Sequence, residues 1–363
     1  MTEAYLQPPR VITNPGPEYA DDTRRFQGIP GIERAASGRL WATWYGGHGE
    51  SEDNYNCIFL ASSTDEGQTW SSPLLVIDPD GDGPTRAYDP CLWHDPDGRL
   101  WLFWAQGYQH HTDERAGVWA ITTDTSDAAS PRWSAPRRLC DGIMMNKPIT
   151  TQRGQWLIAA ARWKQEGSCV VWGSCDIGAS WQKLGAASVP EEHRSCDEHM
   201  IIERTDGSLW MLVRTKYGIG QSVSDDGGYT WSAVEPSQLA HPETRFFIRR
   251  LCSGRMLLVK HGPLEERTER SHLTAYLSQD EGVSWLGGLL LDERTGVSYP
   301  DGVEDAGGRQ YLIYDYDRRG ERQILMATFT EADILSAGGD STADSDIEPG
   351  LRMVVNQATD RPA

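Results

Sequence analysis

Ser63-Thr64-Asp65-Glu66-Gly67-Gln68-Thr69-Trp70, STDEGQTW, recurs with few changes as Ser174–Trp181 (SCDIGASW), Ser224–Trp231 (SDDGGYTW) and Ser278–Trp285 (SQDEGVSW). All four copies satisfy S-x-D-x-G-x-[ST]-W. Set between β-rich runs, the phrase predicts a tight hairpin turn. The Asp carboxylate accepts backbone N–H groups, the Gly takes a φ that other residues avoid, and the Trp plugs the adjoining layer. A turn repeated in this way is a folding device and carries no chemistry of its own.

A second repeat sets the number of units. Six glycines each introduce a short strand-like run: Gly38, Gly98, Gly154, Gly207, Gly254 and Gly308, at spacings of 60, 56, 53, 47 and 54 residues. Several β-runs per unit of about 50 residues, with hardly any helical periodicity, predict an all-β fold. The expected architecture is a six-bladed β-propeller of four-stranded antiparallel blades, the Asp-containing turn joining the third and fourth strands of a blade. A degenerate turn lies between Asp124 and Trp133, and the sixth unit shows none. Residues 1–337 are expected to form one propeller domain, with a strand from about Tyr5 to Thr13 closing the last blade. Residues 338–363 read as a tail in which LRMVVNQ could pair as an edge strand.

Composition limits the partners. With 38% hydrophobic residues and a mean hydropathy of −0.54, the chain has no apolar run able to span a membrane. A net charge of −19 argues against nucleic acid or an anionic membrane surface as partner. The start MTEAYLQPPR lacks a secretory h-region, and the seven Cys are odd in number without paired metal-ligand spacing. A cytoplasmic location, no metal and no cofactor are therefore expected, while oligomeric state is left open. His193-x-x-Cys196-x-x-His199 lacks further ligands, and His110-His111 reads as a solvated loop.

In a propeller the innermost strands line the axis, so residues at one distance before the marker glycines should meet there. Nine positions upstream stand Asp89, Glu198, Arg245 and Tyr299, with Ile29, or Gly28 after one slip, in the first unit; Lys147 stands seven before Gly154. Charged groups in the phase of otherwise apolar strands are either functional or mutually paired. The sequence leaves both readings open. Arg214 and Arg270 could join Lys147 and Arg245 in a cationic well suited to an anionic ligand, and Asp301, two residues after Tyr299, shares its strand face.

From RFQGIPGIE to ILMATFTEADI the chain resembles the sialidase (neuraminidase) superfamily, in particular its bacterial branch with Asp-box (BNR) repeats. The segment CDEHMIIERTDGSLWMLVRT is similar to the family's Glu-bearing segment, which implies Glu198 as the carboxylate that activates a nucleophile and Arg214 as an arginine of the substrate-carboxylate clamp. VSYPDGVEDAGGRQYLIYD resembles the Tyr-bearing strand and implies Tyr299 as nucleophile. Arg270 matches the clamp arginine ahead of the last Asp-box. Asp53, in GGHGESEDNYNC, falls where the acid/base aspartate is expected, with Glu52 one step away. The family's Phe-Arg-Ile-Pro motif is here Phe26-Gln27-Gly28-Ile29-Pro30, without its arginine.

The resemblance implies retaining hydrolysis of a terminal, acidic sugar from an oligosaccharide. Tyr299 would attack with Glu198 as base, Asp53 would protonate the leaving oxygen, and Arg214, Arg270, Arg245, Lys147, Asp89 and Asp301 would hold the substrate. Two other readings use the same fold. One is a polysaccharide lyase acting on uronate-containing chains, with Tyr299 or one of His48, His199, His261 and His272 as base. The other is a carbohydrate-binding propeller without turnover.

Overall fold

The computed structural model describes residues 3–81, 83–109, 113–163, 165, 169–338 and 352–359. His110 and His111, and the tail segment 339–351, lie outside the described residues. The first sheet contains β1 (Arg10–Thr13), β2 (Phe26–Arg34), β3 (Leu40–Gly47), β4 (Cys57–Ser63) and β5 (Leu75–Asp78), ordered β1-β5-β4-β3-β2. The second contains β6 (Thr85–His94), β7 (Leu100–Tyr108), β8 (Gly117–Thr123) and β9 (Arg137–Asp141), and the third β10 (Ile149–Thr150), β11 (Trp156–Ala159), β12 (Cys169–Ser174) and β13 (Gln182–Ala187). The fourth contains β14 (Met200–Glu203), β15 (Leu209–Thr215), β16 (Gly218–Ser224) and β17 (Glu235–Pro236), and the fifth β18 (Phe247–Arg250), β19 (Met256–His261), β20 (Leu273–Ser278) and β21 (Leu286–Asp292). The sixth contains β22 (Val297–Glu304), β23 (Arg309–Tyr316), β24 (Gln323–Thr330) and, after helix α1 (Glu331–Ala337), β25 (Arg352–Gln357).

These are the six antiparallel blades expected, with β2, β6, β10, β14, β18 and β22 innermost. Ring closure differs from expectation. The N-terminal strand β1 pairs with β5 and widens the first blade (Val11 opposite Ile77), while β25 fills the fourth place of the last blade beside β24. With that edge occupied, the N- and C-terminal segments meet through two side-chain hydrogen bonds and one backbone hydrogen bond. Arg24 donates to Asn356 Oδ1 at 2.8 Å, Asn356 donates to Asp21 at 3.0 Å, and the Thr359 amide donates to the Asp21 carbonyl at 2.8 Å.

The repeated turn works as its residues require. Asp65 Oδ1 accepts the Thr69 amide at 2.9 Å, its other oxygen the Thr69 hydroxyl at 2.6 Å, and the Ser63 hydroxyl accepts the Gly67 amide at 3.0 Å. Asp176, Asp226 and Asp280 repeat the pattern. The glycine has a second duty: a Cβ on Gly282 would lie 2.6 Å from the Trp210 ring of the preceding blade, and one on Gly178 2.8 Å from Trp101 and Trp156. At Gly178 and Gly282 the turn is a seat for a tryptophan of the preceding blade, and at Gly67 it is a seat for Met326 of the last blade. In the degenerate turn of the second blade Thr125 replaces the carboxylate, its hydroxyl taking the Arg132 amide at 3.2 Å.

At φ +85 and with no room for a methyl group, Gly282→Ala should destabilise the protein by about 1–3 kcal/mol in equilibrium urea unfolding. The same change at Gly254, also at positive φ but with nothing within 4 Å of the added Cβ, should cost less. Equal losses would remove the inter-blade role.

Candidate active site

Nine residues before the marker glycines stand Ile29, Asp89, Met145, Glu198, Arg245 and Tyr299. Ile29 (φ 55), Asp89 (φ 49), Glu198 (φ 37) and Tyr299 (φ 54) all adopt the left-handed conformation that side chains avoid. In three blades the strand ladder shifts register at this point, between Gly28 and Gly31, Tyr88 and Cys91, and Ser298 and Asp301. A bulge of this kind re-aims one side chain, at a strain of about 1–3 kcal/mol per residue. The outcome is a cavity of about 180 Å³ on the axis, lined by five of the six residues, Arg245 excepted, and by Glu52, Trp163, Cys196, Arg214, Arg270 and Arg318. An adjoining cavity of about 210 Å³ shares Glu52, Arg270 and Arg318.

Tyr299 and Glu198, from separate blades, are in contact. The phenol donates to Glu198 Oε1 at 3.2 Å, and Arg214 Nη1 donates to the same oxygen at 2.5 Å and to the phenol oxygen at 3.2 Å. Glu198 Oε2 is buried and meets no donor among the described residues. Burial, and next the Glu198 charge, push the Tyr299 phenol well above its ordinary range, although Arg214, Arg318 and Arg270 oppose this. The phenol is therefore neutral near pH 7. Two guanidinium groups stand against its ring, Arg318 at 5.0 Å and Arg270 at 5.6 Å from the centroid.

Arg318 is the residue that sequence reasoning missed. It follows β23 in a loop, pairs with Glu52 at 3.0 Å and lies 3.9 Å from Asp315. A Cβ on Gly28 would sit 2.2 Å from its Cδ and 2.6 Å from its Cγ. The glycine in the Phe-Gln-Gly-Ile-Pro stretch thus leaves open the space through which Arg318 reaches the axis. No pattern within one repeat could have signalled this, because the two residues are 290 positions apart.

Asp53 does not reach the cavity: its carboxylate accepts the Tyr55 amide at 3.0 Å within its own turn, and Glu52 supplies the carboxylate that lines both cavities. Lys147 and Asp301 stand seven residues before their glycines, one layer below Tyr299, and pair at 3.2 Å. Lys147 also meets Glu33 at 2.8 Å and the carbonyls of Ile32 and Leu92 at 2.6 and 2.7 Å. Arg245 turns down to the same layer, donating to Asn146 Oδ1 at 2.7 Å and lying 3.5 Å from Asp301. These three are the floor of the site rather than its walls, since each is saturated by buried partners. Among the described residues His48, His199, His261 and His272 do not line either cavity; His199, for example, is buried against the Val170 carbonyl at 2.7 Å.

Asp89 does line the cavity. Burial, then Glu52 and Glu198, raise its carboxyl well above the usual range, which favours the protonated form. A neutral carboxyl there can donate a hydrogen bond as well as accept one.

This architecture and axial site define a six-bladed propeller of the sialidase fold. The chain belongs to the BNR repeat-like domain family, which matches residues 38–312. Among solved structures it is similar to a Hadza microbial sialidase (20% identity, 86% of this chain and 67% of that one, TM-score 0.70). It is also similar to the intramolecular trans-sialidase of Ruminococcus gnavus in complex with oseltamivir carboxylate (15% identity, 89% and 98%, TM-score 0.68). An α-L-arabinofuranosidase of Fusarium graminearum in complex with an iminosugar inhibitor shares the fold at 12% identity (91% and 99%, TM-score 0.63). No curated protein matches the sequence.

Because the folded protein keeps the Asp89 proton to higher pH than the unfolded chain, its contribution to stability is full below about pH 4 and declines as pH rises toward the folded value. Asp89→Asn keeps the neutral shape and removes that decline. Its stability relative to wild type should therefore increase from about pH 4 to pH 8 in unfolding titrations. Parallel pH curves for the two proteins would exclude a neutral carboxyl at this position.

Proposed function

We propose that this chain is a retaining exo-glycosidase of the sialidase type, removing a terminal acidic sugar from an oligosaccharide through a tyrosine nucleophile. The observation that carries the reading is the Tyr299–Glu198 contact beneath three arginines from separate segments. A carboxylate nucleophile would be repelled by a substrate carboxylate beside the anomeric carbon; a neutral phenol is not. Arg214, Arg270 and Arg318 take the sugar carboxylate by charge-assisted hydrogen bonds. As the Tyr299 oxygen bonds to the anomeric carbon, Glu198 takes the phenol proton. Glu52, at the rim where the leaving group exits, protonates the departing oxygen.

In the second half-reaction Glu52 takes a proton from water, whose oxygen displaces the tyrosine, and Glu198 returns the proton to the phenol. Two inversions give net retention. Asp89 binds a sugar hydroxyl with its neutral carboxyl. The lyase reading loses its histidine bases, none of which faces the cavity.

A screen of chromogenic glycosides, sialic acid first and then uronic and neutral sugars, tests the substrate class. On the best substrate Tyr299→Phe should fall below about one thousandth of wild-type kcat, and Glu198→Gln should lose about 10²–10⁴-fold, with the fold intact. A Tyr299→Phe enzyme with near wild-type turnover would end the nucleophile assignment. Arg318→Gln should raise KM for an acidic glycoside by about 10–100-fold, the worth of one hydrogen-bonded charge. An unchanged KM would take Arg318 out of the clamp.

A further inference from the structure

The axial channel has a second mouth. Five residues before their marker glycines, Glu33, Trp93, Ile149, Ile202 and Arg249 share one phase, and at about 3.3 Å per residue that layer lies about 13 Å from the layer of Tyr299. A cavity of about 450 Å³ opens there, larger than the one beside Tyr299 and within the roughly 300–1,000 Å³ typical of ligand sites. Trp93, Met200 and Phe247 give it apolar walls, and Lys147 and Arg245 lie at its base.

Most of its charges are already matched. Lys147 and Arg245 are balanced by Glu33 and Asp301. Arg250 is held by Glu281 at 2.6 Å, the Glu203 carboxylate takes the Gln152 amide at 2.7 Å, and Asp95 takes the Arg99 amide and the Trp101 indole, both at 2.9 Å. Arg204 lies over the Trp210 ring at 4.8 Å, although its buried Nε has no acceptor among the described residues. Arg249 differs in facing the cavity with neither a ring nor an ion partner among the described residues. It is half-buried on the cavity wall, and among the described residues no acceptor takes its guanidinium and no carboxylate pairs with it. Its charge reaches the floor, where it helps Lys147 and His94 hold Glu33 at about 2 against the effect of burial.

A guanidinium that faces a cavity without a protein acceptor is open to charge-assisted hydrogen bonds from a bound anion. We propose that this second mouth binds a small monocarboxylate with a flat or aliphatic body, the carboxylate bidentate on Arg249 and the body against Trp93 and Phe247. The planar fork of the Arg249 guanidinium selects a carboxylate geometry. The site is independent of the reaction proposed at Tyr299.

Isothermal titration calorimetry of the whole protein with benzoate, beside its neutral analogue benzamide, tests this. Wild type should bind benzoate saturably and benzamide at least about tenfold more weakly, the least expected for one charge-assisted pair. Arg249→Gln should lose benzoate binding by the same factor, and Arg249→Lys should retain part of it. No benzoate binding to wild type, equal binding of benzamide, or binding that survives Arg249→Gln would each overturn the proposal.

Discussion

A single ammonium group joins four of the six blades. Lys147, in the third repeat, donates to carbonyls of the first and second blades and pairs with Glu33 of the first and Asp301 of the sixth. Asn146 beside it accepts from Arg245 of the fifth and donates to the Glu198 and His199 carbonyls of the fourth. Every blade therefore meets the others through one buried polar layer. Buried charges are costly unless paired, and deleting one partner typically costs about 3–5 kcal/mol, so this layer fixes which residue of each inner strand stands at which height.

That fixed height is what makes the layer above chemically useful. Four side chains held at positive φ line the axial cavity directly above that floor. The phenol and Glu198 are pressed together under conditions that keep the phenol neutral, and Arg214 stands in contact with both. Strain, burial and neighbouring charge all act on the same few atoms. In the reading proposed here this is preorganisation: the base and the nucleophile are in place before the sugar enters.

Features tied to the repeat were legible in the sequence. The Asp-box phrase and the marker glycines yield six antiparallel blades, and the phase nine residues upstream yields Tyr299, Glu198 and Asp89, because periodic position along a strand translates directly into height on the axis. Phase says nothing about whether a charge is saturated, which is why Lys147, Arg245 and Asp301 read as walls when they are floor. Loops have no phase at all: Glu52 rather than Asp53 faces the cavity through the turn that Asn56 and Tyr55 build, and Arg318 arrives from beyond a strand end. Closure was half legible: LRMVVNQ reads as an edge strand and β25 is one, but the blade that the N-terminal strand joins depends on the edge it meets.

Gly28 and Arg318 are bound together by space. A side chain at position 28 and the Arg318 stem claim the same volume, so one must be absent for the other to be present. Arg318 is fixed by Glu52 and Asp315, so its position depends on the loop carrying Glu52, the carboxylate proposed as acid and base. In the reading proposed here clamp and proton donor are mechanically coupled: a sugar carboxylate that draws Arg318 inward would loosen the ion pair holding Glu52. Binding of the acidic sugar would itself release the carboxyl group that its leaving oxygen needs.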